Sequence, residues 1–435
     1  MIPALHSIHG AARPALRSTT FCALIVLLLG LDPLSGADVD LERLQDEAVE
    51  RLQAYLRIDT TNPPGNEARA VEFLARILEA EGIPYETAES APGRGNLWAR
   101  LEGGGEPALV LLHHSDVVPA DAARWTVPPF SGELVDGYLY GRGALDMKST
   151  GILQLQTFLA LHRAGRPLAR DVLLVATADE EAGGAHGAGW LVEQHPELFA
   201  GAGLLLNEGG SGFVIDQRTV FGIEVTQKVP YWLRLESSGI PGHGSTPRTD
   251  SAVTRLVRAL ERLRQHEFPA RVVPAVDAYF ENMAPTVGKA FQPYFENLAT
   301  AVADPFFLRR LQLEQPGFHA LLRNTCSITR LEGSSKINVI PPTAAAEIDC
   351  RLLPDQDPAA FLETLATVIN DPQIEIQQIL LFEPAVSPTD TVLYRAITDV
   401  VRRHFPEAVI TPAVSTGFTD SHFFRDLGIA SYGFA

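Results

Sequence analysis

The sequence predicts an α/β fold with a largely parallel sheet flanked by helices, into which a smaller α+β domain is inserted. Between residues 41 and 208, apolar runs of strand length alternate with amphipathic helical patterns, which is typical of a parallel sheet. Near Thr226 the pattern changes to strands of alternating polarity, and after Pro388 the helix and strand pattern of the first part resumes. The length of 435 residues also favours two domains over one.

The first domain begins with two amphipathic helices. "LERLQDEAVERLQAYL", from Leu41 to Leu56, repeats apolar residues every three or four positions, and "EARAVEFLARILEAEG" does so again after the break "DTTNPPGNE". The strand-like segments "NLWARLEG" and "ALVLLHHSD" follow, and a helix is predicted after Met147. The buried strand "DVLLVATADEE", a helix from about Gly187 to Phe199 and the strand "GLLLNEGG" complete this part.

The second domain is predicted over residues 226–382, inserted into a first domain that comprises residues 38–225 and 383–435. Its strands are "VPYWLRLESSG", "TCSITRLEGS", "AAAEIDCRLLP" and "IEIQQIL". Its helices run from about Ser251 to His266 and through "PAAFLETLATVIN". The weakly periodic stretch from Pro269 to Asn324, rich in Phe and Pro, is interpreted as a helical elaboration of this second domain.

The composition excludes some classes of function. Apolar residues make up 46% of the chain and charged residues 20%, which is the balance of an ordinary globular protein. The net charge is −18, from 53 acidic and 35 basic residues, and no basic patch stands out, so we expect no nucleic-acid partner. This acidity leaves carboxylates available for metal binding, although acidity alone usually means a soluble surface.

The N-terminus has the pattern of an export signal. Arg13 and Arg17 precede the apolar run "FCALIVLLLGL", and small residues in "PLSGAD" follow it. This order predicts a secretory signal over residues 1–37, cleaved near Ala37, and therefore a periplasmic or secreted protein; an N-terminal membrane anchor is the alternative. Only Cys326 and Cys350 would remain in the mature chain, and the sequence leaves open whether they pair.

Polar side chains follow several of the apolar strands. His114 and Asp116 in "LLHHSDVVP" are two residues apart and share one face of a strand, so Asp116 could hold the second ring nitrogen of His114. Such a pair is common behind a zinc ligand, although a histidine and an aspartate in an ordinary turn would look the same. The sequence "GRGALDMK" places Asp146 in a comparable position.

Two adjacent glutamates, Glu180 and Glu181 in "TADEEAGG", follow another apolar strand, and Glu208 ends "LLLNE". Adjacent side chains diverge, so one glutamate could bind a metal while the other acts as an acid–base group towards the substrate. A solvated helix start is the alternative for that pair taken alone. Together with His114 and Asp146, these residues form an oxygen-rich ligand set without thiolates, which suits a catalytic Zn²⁺ or Mn²⁺ pair better than a structural zinc.

The four motifs in this order, "HHSDVVP", "GRGALDMK", "DEEAGG" and "NEGG", resemble the di-zinc amidohydrolases that include carboxypeptidase S, carboxypeptidase G, the aminoacylases and succinyl-diaminopimelate desuccinylase. The resemblance covers residues 41–435 and is closest to the carboxypeptidase S-like branch through "WTVPPFSGELVDGYLYGRGALDMK". It implies a zinc-dependent hydrolase that cleaves the amide bond of dipeptides, short peptides or N-acyl amino acids. It also implies two zinc ions, for which manganese or cobalt could substitute.

The resemblance assigns roles to the strand-end residues. Asp146 would bridge both zinc ions, and His114, Glu181 and Glu208 would bind one ion or the other. Glu180 would be the general base that deprotonates the attacking water. The remaining residue of the set, the aspartate of "HHSD", would orient the histidine ligand from behind.

The inserted domain resembles the family's lid. In "SSGIPGHGSTP", His243 would stabilise the tetrahedral oxyanion, in its own active site or in that of a partner subunit, so the resemblance allows a homodimer formed through the lid. In "KINVIPPTAAAEIDCR", Asn338 and Arg351 would bind the terminal carboxylate of the substrate, a task that suits a guanidinium group.

The C-terminus departs from the family pattern. The last metal ligand of the family is a histidine beyond the "GF" strand, whereas this sequence ends at "SYGFA". His422 in "GFTDSHFFRDLG" is the candidate nearby, but in relatives this motif lines the substrate side, so the resemblance implies substrate binding. The expectation is a truncated chain that lacks one ligand, and the alternative function is a non-catalytic or truncated homologue. A serine hydrolase is excluded because the sequence contains no G-x-S-x-G.

Overall fold

The structure is a computed structural model that describes residues 40–215 and 217–434. The predicted export signal over residues 1–37 lies outside the described residues. Within the described part, no helix combines the length and the apolar character that crossing a bilayer requires.

The described residues form thirteen α-helices. They are α1 (Leu41–Leu56), α2 (Ala68–Ala80), α3 (Lys148–Ala164), α4 (Ala188–Gln194), α5 (Ala252–Gln265), α6 (Pro274–Met283), α7 (Gln292–Phe295), α8 (Leu298–Ala301), α9 (Pro305–Glu314), α10 (Pro316–Ala320), α11 (Pro358–Ile369), α12 (Val392–His404) and the short α13 (Ser421–Asp426). The helix predicted from about Gly187 to Phe199 is divided at His195 into α4 and a short 3-10 helix, Pro196–Phe199, because a proline begins the second piece.

The described residues also form seventeen strands. They are β1 (Tyr85–Glu89), β2 (Gly95–Leu101), β3 (Glu106–His114), β4 (Glu133–Val135), β5 (Tyr138–Tyr140), β6 (Arg170–Thr177), β7 (Ala202–Asn207), β8 (Ser211–Ile215), β9 (Arg218–Gln227), β10 (Val229–Ser238), β11 (Gly242–His243), β12 (Thr325–Glu332), β13 (Val339–Ile340), β14 (Thr343–Leu352), β15 (Ile374–Leu381), β16 (Val409–Ser415) and β17 (Ala430–Gly433).

Local chemistry fixes many of the helix ends. The Asp40 carboxylate accepts the backbone N–H of Arg43 at the start of α1, and Ser251 and Thr254 cap each other reciprocally at the start of α5. Gly165 ends α3 with φ 61°, a left-handed conformation that glycine adopts without strain.

The larger sheet has nine strands in the order β1-β2-β6-β3-β7-β17-β9-β16, and β8 pairs with β9. Its central strands β6, β3, β7 and β17 run parallel, whereas β1, β2 and β8 pair antiparallel to their neighbours. Helices cover both faces: Leu109 and Leu111 of β3 pack towards α1, α2, α3 and α12, and Val110 and Leu112 pack towards α4 and α13. The predicted parallel sheet flanked by helices is confirmed, with a mixed periphery.

The second sheet is a separate antiparallel sheet with the order β12-β14-β10-β15. Its apolar face packs on α5 and α11 through Leu256, Leu260, Phe361 and Leu365. Because all four strands lie within residues 226–382, the sequence prediction of an α+β lid with its own sheet is confirmed as a fold.

The segment between the two halves of the lid differs from its interpretation as a helical elaboration of the second domain. Helices α6 to α10 bury Phe280, Phe295 and Phe307 in a core shared with Val220 of β9 and Val414 of β16. They therefore cover the edge of the nine-stranded sheet. The reason is that β16 is an edge strand whose apolar side chains would otherwise face water.

Cys326 and Cys350 lie directly opposite each other on β12 and β14 and form a disulfide. Cys350 is fully buried in the lid core, so the bond ties the edge strand of the lid to its neighbour from within the core. The pairing that the sequence left open is thus present.

Candidate active site

Polar residues lie at the carboxyl ends of three neighbouring parallel strands of the nine-stranded sheet. His114 ends β3, Glu180 follows β6 after a two-residue turn, and Glu208 follows β7. The order β6-β3-β7 makes these strand ends adjacent, so side chains far apart in the chain meet there. The strands are buried apolar segments, which leaves the polar groups only at their carboxyl ends.

His114 is the centre of the cluster. Its Nε2 atom lies 3.1 Å from Asp146 Oδ1, 3.5 Å from Glu208 Oε2 and 4.0 Å from Glu180 Oε2. On the other side of the ring, Nδ1 lies 3.1 Å from the backbone oxygen of Asp116 and 3.3 Å from its Oδ1. The ring is thus held at Nδ1 and presents Nε2 to the carboxylates.

The potential ligand atoms fall into two groups that share the histidine. One group contains His114, Glu180 and Glu208, the other contains His114, Asp146 and Glu181, and within each group the atoms lie within 4.8 Å of one another. Asp146 is the exposed member, at 65% side-chain exposure, because it sits in the loop before α3.

Asp116 connects the strand end of β3 to the turn that carries the glutamates. Its Oδ1 accepts the backbone N–H of Glu180, and its Oδ2 accepts that of Glu181, both at 3.2 Å. The carboxylate is fully buried. It therefore fixes the His114 ring and the turn of the two glutamates at the same time.

The electrostatics of the cluster favour a cation. Burial, together with the charges of Glu208 and Asp420, raises the pKa of Glu180 well above its usual value, and burial raises the pKa of Glu181 to about 7. Burial disfavours a charged His114 ring, but Glu208 and the neighbouring aspartates outweigh it and raise its pKa well above the ordinary value.

One imidazole and four carboxylates therefore crowd a site in which their charges repel. An oxygen-rich donor set of this kind with one nitrogen fits a divalent metal such as Zn²⁺ or Mn²⁺. The residues present fit the metal that the sequence analysis expects.

Sequence reasoning missed Asp420. This carboxylate is buried, accepts a hydrogen bond from Thr177 Oγ1 at 3.0 Å, and adds to the negative potential at Glu180. Burial raises its pKa to about 8. The sequence signal is weaker here than for the other acids, since Asp420 follows the strand "VITPAVS" only after the four residues "TGFT".

The lid residue Arg351 lies on β14 between two aromatic rings. Its Cζ is 5.8 Å from the ring centre of Trp232 and 5.5 Å from that of Phe418. Its Nε and Nη2 donate to Asp349, whereas Nη1 is buried with no hydrogen-bond partner among the described residues. The guanidinium group therefore keeps one nitrogen for a further acceptor.

His243 lies on the exposed two-stranded ribbon of β11 and β13, and Asn338 lies in the turn just before β13. Gly244 N donates to the backbone oxygen of Asn338, and His243 Nδ1 lies 2.7 Å from Ser245 Oγ. Within the described part of the chain, no hydrogen bond or ion pair joins either side chain to the carboxylate cluster. These two predicted residues belong to neither group of converging ligand atoms.

His422 is buried beneath the lid. Its ring stacks on Phe382 with ring centres 3.5 Å apart, and its Nδ1 is buried without a hydrogen-bond partner among residues 40–215 and 217–434. Burial lowers its pKa to about 3. It belongs to neither group of converging ligand atoms.

Comparisons with known proteins agree with this arrangement. N-fatty-acyl-amino acid synthase/hydrolase PM20D1 of Xenopus tropicalis is 33% identical over 413 residues, which cover 91% of this chain and 79% of that protein. Human aminoacylase-1 is 29% identical over 399 residues, which cover 89% of this chain and 86% of that protein.

Among solved structures, the M20 family metallo-carboxypeptidase Sso-CP2 from Sulfolobus solfataricus has the same fold, with a TM-score of 0.66 at 21% identity over 89% of this chain and 91% of that one. The sequence profile described as peptidase family M20/M25/M40 matches residues 110–435. The amidohydrolase resemblance that the strand-end motifs indicated is confirmed, and this chain belongs to the peptidase family M20/M25/M40.

Proposed function

We propose that this chain is a zinc-dependent hydrolase that cleaves the amide bond of N-acyl amino acids or short peptides. The observation that carries the proposal is the convergence of one histidine and three carboxylates that follow three adjacent parallel strands, with Asp146 joining them from the loop before α3. The related sequences support the substrate class, since the relatives bear the names N-fatty-acyl-amino acid synthase/hydrolase and aminoacylase-1.

We propose two zinc ions, with manganese or cobalt as substitutes. Asp146 would be the shared ligand, and His114, Glu181 and Glu208 would complete the set. The ligand atoms fall into two groups whose common member is His114, and Asp146 belongs to one of them, so its role as the shared ligand rests on the family resemblance and not on these groups. When bound, the metal supplies Lewis acidity, which polarises the scissile carbonyl and makes water easier to deprotonate.

Glu180 would be the general base. It accepts the proton of the attacking water on its carboxylate and afterwards donates it to the leaving nitrogen. Its burial and raised pKa support this role, because a carboxyl group with a pKa nearer to neutrality can both take up and release a proton. Asp116 would hold the His114 ring and the Glu180 backbone in fixed positions relative to each other through the hydrogen bonds described above.

The lid would hold the substrate. We propose that Arg351 and Asn338 bind the free carboxylate of the amino acid, because Arg351 Nη1 lacks a partner among the described residues. Trp232 and Phe418 would then lie beside the bound carboxylate. His243 would act on the oxyanion from an exposed ribbon, in its own site or across a homodimer formed through the lid, and His422 would lie on the substrate side.

Export is also a proposal. The N-terminal pattern supports it, and so does the Cys326–Cys350 disulfide, because disulfides persist mainly in oxidising compartments. Sequencing the N-terminus of the protein recovered from the producing cell tests it, since cleavage near Ala37 is expected and an uncut chain would support the membrane anchor.

A substrate panel tests the proposed activity. The zinc-loaded protein is assayed with N-acyl amino acids, with dipeptides, and with the same N-acyl amino acids converted to C-terminal amides. Hydrolysis of the first two classes, abolished by a chelator and restored by zinc, is the expected result. Stable metal binding without turnover of any amide would instead favour a non-catalytic homologue.

A further inference from the structure

A string of buried polar side chains begins at Asp116 and continues away from the proposed metal ligands. Its other members come from the loop "NPPGNE", from the residue just before β2 and from the turn after β6. The string consists of Asn62, Glu67, Arg94, Asp116 and Asp179, whose exposed fractions are 4%, 0%, 9%, 0% and 3%. The proposed mechanism gives a role only to Asp116.

Asn62 lies between two buried carboxylates. Its Nδ2 atom donates to Asp116 Oδ2 at 2.8 Å and to Asp179 Oδ1 at 3.1 Å. An amide nitrogen has two hydrogens, so both donors are used in joining these acids. Asp116 and Asp179 are both buried and both within hydrogen-bond distance of Asn62 Nδ2, so their charges would repel strongly without this donor between them.

Arg94 continues the string beyond Asp179. Its Nη2 donates to Asp179 Oδ1 at 2.6 Å and to Glu67 Oε1 at 2.9 Å, and its Nη1 donates to the backbone oxygen of Pro64. The guanidinium group therefore compensates the acids at the far end. Asn62 is the side chain that joins Asp116 to this charged end of the string.

The loop is shaped to admit this arrangement. Gly65 has φ 81°, and a Cβ atom there would lie 2.6 Å from Arg94 Cζ and 2.8 Å from Glu67 Oε2. Any side chain at this position would displace the guanidinium group. The same short loop thus supplies Asn62, the space for Arg94 and the carboxylate of Glu67.

Both acids that Asn62 joins act directly on the proposed active site. Asp116 orients His114 and the backbone of Glu180 and Glu181. Asp179 immediately precedes Glu180 and has φ 71°, a conformation that a non-glycine residue keeps only when its surroundings hold it. Asp179 is further held by His186, whose backbone N–H donates to its Oδ2 at 2.9 Å.

We propose that Asn62 is a positioning residue of the metal site: by joining Asp116 to Asp179 it holds the His114 ring and the turn of the two glutamates in the geometry that binds metal. The inference rests on the proposed function, since it needs His114 to be a ligand. Replacement of groups that orient a metal ligand commonly lowers affinity about 10- to 100-fold.

The test measures metal affinity independently of turnover. The metal-free protein is titrated with Co²⁺, followed by visible absorption, and with Zn²⁺ in competition with a chelator. Asn62→Leu removes the bridging donors, and Asn62→Asp removes them with almost no change of shape. The matched control is Gln156→Leu. Gln156 is a buried amide of α3 that accepts a hydrogen bond from Arg51 and donates one to the backbone oxygen of Leu44, both in α1. Among the described residues, it makes no hydrogen bond to the proposed ligands.

The expected result is a loss of Co²⁺ and Zn²⁺ affinity of about tenfold or more in both Asn62 variants, with altered Co²⁺ absorption bands. Gln156→Leu is expected to bind metal as the parent does, and melting temperatures of the metal-free proteins show whether each variant folds. Parent-like affinity in either folded Asn62 variant would overturn the inference. So would an affinity loss in Gln156→Leu that matches its own loss of stability, since stability alone would then explain the effect.

The outcome also separates this inference from the proposed function. If the parent protein binds neither Co²⁺ nor Zn²⁺, the metal site itself is wrong and the inference falls with it. If the parent binds both and Asn62→Asp binds them equally well, only the positioning role is wrong.

Discussion

Asp146 Oδ1 lies 3.1 Å from His114 Nε2, although the two residues are 32 positions apart in the chain and differ greatly in exposure. His114 is rooted in the buried end of β3, whereas Asp146 sits on an exposed loop. The pair therefore joins the core of the sheet to its surface. Because Asp146 is exposed, its side chain can be replaced without creating a cavity in the core.

Asp146→Ala should abolish metal binding at little cost in folding. Loss of a group that only orients a metal ligand lowers metal affinity by up to about 100-fold. We expect a larger loss of zinc affinity for Asp146→Ala, because a direct ligand would be missing. The free energy of unfolding of the metal-free protein should change by no more than about 0.5 kcal/mol, as for an ordinary surface site. Calorimetric zinc titration measures the first quantity and urea unfolding the second. Glu133→Ala, an exposed acid of β4, is the control, and equal zinc affinity in both variants would exclude Asp146 as a ligand.

Glu180→Gln should separate metal binding from turnover. The amide keeps the shape of the side chain but cannot accept a proton, so we expect kcat to fall about 10²- to 10⁴-fold while bound zinc remains. Glu181→Gln should instead lose metal together with activity. Zinc content by elemental analysis and steady-state kinetics measure the two effects, with the exposed Glu193→Gln of α4 as control. If Glu180→Gln loses zinc and activity in parallel, Glu180 is a ligand.

Arg351→Met should impair substrates that end in a free carboxylate. A hydrogen bond to a charged group is worth about 1.5–3 kcal/mol, which corresponds to roughly a 10- to 150-fold rise in KM. Substrates with a C-terminal amide should show little change between the parent and the variant. Arg330→Met is the control, since Arg330 is an exposed arginine of the neighbouring strand β12 that pairs with Glu332 and Glu347. A similar KM rise for both substrate types would mean that Arg351 acts on the lid and not on the carboxylate.

The double replacement of Cys326 and Cys350 by serine should destabilise the lid. The bond closes a loop with a sequence separation of 24 residues. Loops of this size are worth about 3 kcal/mol in the chain-entropy account. Urea unfolding measures the three proteins. The reduced parent and the double variant should have the same unfolding midpoint, below that of the oxidised parent. An unchanged unfolding midpoint on reduction would show that the bond adds nothing to stability.

His319 should make the protein sensitive to acid. Burial, with Arg323 and Lys228 nearby and Glu267 acting in the opposite sense, lowers the pKa of His319 from 6.5 to about 4. The unfolded chain therefore binds the extra proton between these two values, so stability falls as the pH drops from 6.5 to 4, by at most about 1.4 kcal/mol per pH unit. His319→Gln should flatten this part of the stability profile relative to the parent, measured by urea unfolding at several pH values. Parallel profiles of the two proteins would contradict the assignment.

The strand-end residues were predictable because each depends only on its own strand. An apolar run that stops at an acid or a histidine shows where a buried strand meets the edge of a parallel sheet. Neither the order β6-β3-β7 nor any distance is needed to place His114, Glu180 and Glu208 at that edge. The helices α1 and α5 were equally accessible, because apolar periodicity and capping residues are local signals.

What the sequence could not reveal depends on contacts between distant segments. Asn62 sits in a turn-forming stretch, and nothing local shows that its amide meets Asp116, 54 residues away, and Asp179, 117 residues away. The packing of α6 to α10 was assigned by proximity in the chain, whereas the exposed apolar edge at β16 determined it. The disulfide likewise required the register of β12 against β14.

The helices that cover the edge strand β16 also change how the lid is attached. A simple insertion would be joined to its host at two points. Here the chain leaves the large sheet after β9, returns to it after α5 to build α6 to α10, enters the lid again at β12, and leaves for the last time after β15. Lys228 Nζ binds the backbone oxygens of Ala320 and Arg323, which fastens the first of these crossings to the third. Any rotation of the lid relative to the large sheet would therefore bend four connections at once, and the connection at Lys228, where two of them are joined, would move least.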